Sequence, residues 1–171
     1  MRLRTLLVTS VVLGLTLGFL LAPDAIRRSQ LERAARAWKP GPSDSEHPHE
    51  KLISPGVDLN GSWIRTGMDG VSLTFHRREK DGYDVAVHTG GCLWSCSFER
   101  TATFADGVVK LNVSVIEYGR NTYDTLYAVQ IDDHEYLVPA CTVPQLNQSA
   151  SSSQNFDDVT WNLLARKEIR N

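Results

Sequence analysis

The residues of this chain with the right types for metal or redox chemistry are Cys92, Cys96, Cys141 and His88. His88, Cys92 and Cys96 are each four apart, a spacing that would align them on one face of a helix. Here the stretch reads as strand interrupted by Gly90-Gly91, so the spacing does not gather them. Cys-x-x-x-Cys also differs from the two-residue spacing of common zinc knuckles. No metal and no cofactor is therefore expected. In an exported domain the three cysteines are disulfide candidates. Cys92 and Cys96 can meet only if Leu93-Trp94-Ser95 turns, because four strand steps separate their Cα atoms by roughly 13 Å. Cys141 is the odd partner, and the pairing stays open. In a cytosolic setting all three would be buried or free thiols.

The histidines do not cluster into a relay. In the register that sets Val71, Leu73 and Phe75 against Tyr83, Val85 and Val87, His76 faces Asp84 and His88 faces Ser72. His76–Asp84 is then an ordinary cross-strand polar pair, and a Ser-His-Asp set lacks its third member. His47 and His49, flanking Pro48, read as solvated. Asn60, Asn112 and Asn147 each begin a glycosylation sequon, but Asn112 falls mid-strand and the matches read as chance.

Arg100 carries more information. A hairpin centred on Asp106-Gly107 puts it on the core face with Phe98, Ala102, Leu111 and Val113. A buried guanidinium has to be paired or has to line a polar cavity. It is the candidate ligand-binding residue, suited to an anionic head group in a barrel mouth. The structural alternatives are a bulge that turns it outward or an internal carboxylate partner.

These side chains must be positioned by strands. From Gly61 onward apolar residues recur at every second position. Examples are Val71/Leu73/Phe75, Tyr83/Val85/Val87, Val109/Leu111/Val113/Val115, Tyr127/Val129/Ile131, Tyr136/Val138 and Val159/Trp161/Leu163/Ala165. Asp106-Gly107 is a type I′ hairpin signal, and the register it implies pairs Phe104 with Val109, Ala102 with Leu111 and Phe98 with Val115. Lys80-Asp81-Gly82 and Asp132-Asp133 close further hairpins. The expectation is a mostly β domain, an up-and-down antiparallel barrel of about eight short strands, closed to protect its edges. Ala140–Asp157 reads as a long loop whose Ser-rich second half favours disorder.

Asn60-Gly61-Ser62-Trp63 at the first strand resembles the Gly-x-Trp opening of lipocalin-like (calycin) barrels. That resemblance implies a Trp63 that plugs one barrel end and a basic residue of the last strand, Arg166 or Lys167, packed over it. It would make Trp63 and Arg166 structural residues, with Trp63 also close to any ligand. The stretch Tyr136-Leu-Val-Pro139 is similar to one in small membrane-anchored bacterial proteins.

Arg2 and Arg4 precede the apolar run Leu6–Ala22, the pattern read by secretion machinery. The run is at the short end of what spans a bilayer as a helix. Pro23 spoils cleavage after Ala22 or Ala25, so residues 1–23 read as an uncleaved signal-anchor transmembrane helix, with a cleaved signal peptide the competing reading. Residues 24–39 read as a basic helix with Ile26, Leu31, Ala34 and Trp38 on one side, either lying on anionic lipid or continuing the membrane helix in solvent. Residues 40–56, rich in Pro and polar side chains, read as a flexible linker, and residues 57–171 as the barrel domain. Arg27, Arg28, Arg33 and Arg36 pull toward the cytoplasm. The signal-like n-region favours the exported, periplasmic or extracellular side.

With a net charge of −2 and a pI near 6.2, and with no basic stripe in the domain, nucleic acid is not an expected partner. The reading is a membrane-anchored, non-enzymatic module that binds a small ligand or an envelope protein, or serves as a scaffold. The alternative is an enzyme whose site is assembled by the fold around Arg100, His88 and the cysteines.

Overall fold

The computed structural model describes residues 29–40, 46–65, 70–78, 82–90, 95–117, 121–152 and 163–167. Eight antiparallel strands close into a barrel in sequential order. They are β1 (Gly61–Arg65), β2 (Val71–Arg77), β3 (Gly82–Gly90), β4 (Ser95–Ala105), β5 (Val108–Glu117), β6 (Asn121–Ile131), β7 (His134–Pro139) and β8 (Leu164–Arg166). Closure comes from β8, which pairs with both β7 and β1, setting Trp63 opposite Arg166. The predicted registers hold for β2–β3, where His76 stands opposite Asp84 and Ser72 opposite His88. They also hold around the Asp106-Gly107 turn, where both residues take positive φ (53° and 78°), as a type I′ hairpin requires. Asp132 and Asp133 do the same at φ 49° and 63°.

The alternation sorts side chains into two cores. Inside the barrel lie Trp63, Leu73, Phe75, Val85, Val109, Leu126, Leu137 and Leu164, among others. A second cluster covers the outside of β6–β8 with Tyr127, Val129, Tyr136, Val138, Leu163 and Ala165. β6 is thus buried on both faces, which is why Leu126–Val129 is an unbroken apolar run.

Two helices cover that outer face. Helix α1 (residues 29–37) presents Leu31, Ala34 and Ala35, followed by Trp38, all buried in the second cluster. This is the apolar stripe of an amphipathic helix, and it is occupied by the barrel wall, so it is not the lipid-facing surface expected for residues 24–39. Helix α2 (Val143–Ser152) takes the place of the expected loop over residues 143–152, while residues 153–157 lie outside the described residues. Val143, Leu146, Asn147 and Ala150, at helical spacing, pack or are buried there, an apolar stripe that the serines conceal in composition. Pro144 suits the first turn, where no N–H is needed. Trp38 Nε1 donates to Asn147 Oδ1 at 2.9 Å and ties α1 to α2.

Residues 46–56, expected as flexible linker, are also packed. A 3₁₀ turn, Glu50–Leu52, is capped by His49. Ile53 bridges to Val129, and Ser54 N donates to Ala128 O at 2.9 Å. Residues 41–45 and the expected membrane helix, residues 1–23, lie outside the described residues. Among the described residues no helix is long and apolar enough to cross a membrane.

Candidate functional site

One barrel end is built by the segment that leads into β1. Asn60 N donates to Asp58 Oδ1, a local turn, and Gly61 at φ 107° swings the chain into the strand. Leu59 is thereby placed inside, where its carbonyl accepts from Trp63 Nε1 at 2.9 Å. Trp63 is 0% exposed. Arg166 lies over the indole, its guanidinium carbon 4.7 Å from the ring centroid. Nη1 of Arg166 donates to Asn60 O at 3.3 Å, and Nη2 donates to Asp58 O and pairs with Glu135 Oε2 at 3.1 Å. The plug is therefore a cation held against an aromatic face and fixed by two carbonyls and a carboxylate. Its N–H is engaged and its ring is covered by Arg166, so Trp63 presents no exposed surface.

Arg100 sits where the barrel wall is least regular. β4 and β5 pair from Ala105–Val108 to Ala102–Leu111, and the ladder stops there. Thr101 N is satisfied by Asn112 Oδ1 at 3.0 Å in place of a backbone carbonyl. On its other side β5 slips its register against β6 between Lys110 and Val115. The expected Phe98–Val115 pair therefore does not form, because the bulge carries residues 111–114 out of line. Val113, expected in the core, is 49% exposed, and no other large hydrophobic among the described residues is exposed.

At this fork Arg100 stands opposite Val85 and Phe98 opposite Val87, both core positions, so the pair faces inward. The guanidinium carbon lies 4.4 Å from the Phe98 ring centroid. Nη1 donates to the Glu99 carbonyl at 2.9 Å, while the buried Nε has no hydrogen-bond partner. No carboxylate pairs with Arg100 among the described residues. The alternatives of an outward turn or an internal carboxylate are thus not what the fold adopts. A second inward guanidinium, Arg65 on β1, donates from Nη1 to the buried Tyr123 hydroxyl across the barrel at 3.2 Å. Sequence reasoning passed over Arg65, although its i+2 relation to Trp63 puts it on the same strand face.

The residues of the alternative, enzymatic constellation are not brought together. His88 points outward, its Nδ1 bonded to Ser97 Oγ at 2.9 Å, on the face opposite to Arg100. Cys96 is exposed at the start of β4, and Cys141 is exposed in the 3₁₀ turn Ala140–Thr142, not joined to Cys96. Cys92 lies outside the described residues. His76 faces Asp84, but the carboxylate pairs with Arg78 Nε at 2.9 Å. Among the described residues no group of three or more His, Cys, Asp or Glu side chains could hold a metal ion.

A groove of about 1070 Å³ runs on the outer surface between residues 46–53 and β4–β6. His47 Nδ1 and the Tyr127 hydroxyl share a hydrogen bond of 2.5 Å there. Burial pushes the Tyr127 pKa up, helped by the carboxylates of Glu46 and Asp124. Nothing in the sequence marked this groove, since it exists only once residues 46–53 fold back on the barrel.

Comparison of the chain with protein families, with curated proteins and with solved structures returns no match.

Proposed function

We propose that this chain is a membrane-tethered, non-enzymatic binding module on the exported side, which takes a small organic acid at the fork between β4 and β5. The observation that carries the reading is Arg100, an inward guanidinium over Phe98 with a buried, unpartnered Nε, which unlike Arg166 has no carboxylate partner among the described residues. A buried donor left without a partner costs roughly 1–3 kcal/mol, which a bound anion would recover. Phe98 offers apolar surface beside it, so the favoured ligand joins one acidic group to a short apolar part. The tether rests on the apolar run Leu6–Ala22 and its preceding arginines. The Trp63–Arg166 plug supports a calycin-like assignment of the barrel.

A second reading, a scaffold that works through its outer surface, is favoured by one observation. From Trp63 to Leu126 the described interior is filled by the chain's own side chains, as eight-stranded barrels often are. The two readings separate in a titration of the full chain in lipid nanodiscs with octanoate and with octanol. The binding reading expects octanoate to bind about 10–100-fold more tightly, the worth of a charge-assisted hydrogen bond, and Arg100→Gln to erase the difference. Equal affinity for acid and alcohol, or no binding of octanoate, would favour the scaffold.

A further inference from the structure

We infer that the barrel is held directly against the bilayer, with the exposed side of α1 facing anionic lipid head groups. The inference rests on the tethered reading above and adds to it the geometry of attachment. A flexible linker at residues 40–56 would let the domain hang on 17 residues beyond the expected helix, with a root-mean-square reach on the order of 20 Å. The structure removes that slack. Helix α1 is docked from its first turn, with Leu31, Ala34, Ala35 and Trp38 buried and Trp38 bonded to Asn147. Residues 46–60 are packed onto the same barrel through Ile53, Ser54, Val57 and Leu59.

What remains between the apolar run, which ends at Ala22, and the docked helix is six residues, 23–28. Even fully extended, the chain from Ala22 to Ser29 reaches only about 25 Å, less than the length of many small domains. The side of α1 away from the barrel carries Arg33 and Arg36, with Lys39 just beyond, all exposed. Glu32, half-buried, is the one carboxylate in residues 29–40. Arg27 and Arg28 precede this set in the sequence. The surface brought nearest the membrane by chain length is therefore also a cationic one, which acidic lipid attracts. Since the apolar stripe of α1 is already covered by the barrel, the contact is electrostatic and lies at the head groups without insertion.

Neutron reflectometry on the full chain in supported bilayers, with neutral phosphatidylcholine and with added phosphatidylglycerol, tests this. The expected profile has protein density starting at the head groups on the acidic bilayer, with no intervening water layer. Arg33→Glu combined with Arg36→Glu, both at exposed positions, is expected to open a water layer on the acidic bilayer while leaving the neutral one unchanged. Any hydrated layer between the head groups and the wild-type domain on the acidic bilayer would overturn the inference. Removal of the wild-type protein by alkaline carbonate washing would instead overturn the tethered reading on which it rests.

Discussion

Gly107 occupies a position with two separate demands. Its φ of 78° is one that residues with a Cβ rarely adopt, and a Cβ built there would stand 2.3 Å from Ile53 Cγ2. Gly107→Ala should therefore cost about 2–4 kcal/mol, combining left-handed strain and overpacking, read as a lower denaturation midpoint. An unchanged midpoint would mean that neither the left-handed backbone nor the Ile53 contact constrains this position. At the other end of the interior, Trp63→Ala should cost roughly 3–5 kcal/mol, because it empties the plug and leaves Arg166 without its aromatic face. Half of this was legible in advance. Asp106-Gly107 announced its turn from sequence, whereas the contact of Gly107 with Ile53 joins positions 54 residues apart, which no local pattern encodes. Likewise Trp63 and Arg166 follow from strand order, but Glu135 enters the plug only because β7 closes beside β8.

At the scale of elements, the outer layer was the part hardest to read. Its helices satisfy their apolar stripes on a sheet face that alternation marks as the outside, and a serine-rich composition disguises α2. Ser149 and Asn147 are nonetheless buried, so deleting residues 149–153 should lower the melting temperature clearly instead of leaving it intact. Asn147→Ala should cost about 1–2 kcal/mol by stranding the Trp38 N–H, and a denaturant series on the full chain would measure it. Asn147 also begins a sequon, and its burial explains why the folded chain offers no carbohydrate site there. The same layer sets an alkaline limit. Burial raises the pKa of Tyr136 above its ordinary 10.0, the neighbouring Arg33 opposing and Asp132 adding to the effect, and Tyr127 is raised as well. The fold thus favours the neutral phenols. Their contribution is fully present below pH 10 and is lost as pH rises through the higher folded values. Melting temperature should fall above about pH 10, and less steeply in Tyr136→Phe; an equal slope in both proteins would assign the loss elsewhere.

For the whole molecule, strand order, the turns at Asp106-Gly107 and Asp132-Asp133 and barrel closure were readable, because hairpins are local and a meander of eight strands has one economical way to hide its edges. The irregular fork was not. It depends on Asn112 Oδ1 accepting from Thr101 N and on a bulge that a strictly alternating sequence conceals. The function proposed lies at that fork, where the local pattern and the fold part company. The attachment proposed for the molecule follows from the docked α1. Deleting Leu6–Ala22 should release the domain at physiological salt, since the apolar stripe of α1 is occupied and only its cationic face remains for lipid.

The proposed anion site stands or falls with Arg100, and a ¹⁵N-edited spectrum of the arginine Nε–H groups during octanoate addition observes it directly. The Arg100 Nε–H resonance should shift as its buried, unpartnered donor meets the carboxylate, while Arg166, already fixed over Trp63, stays in place. An Arg100 resonance unmoved at saturating octanoate, or shifts confined to the exposed arginines, would contradict an anion site in the barrel wall.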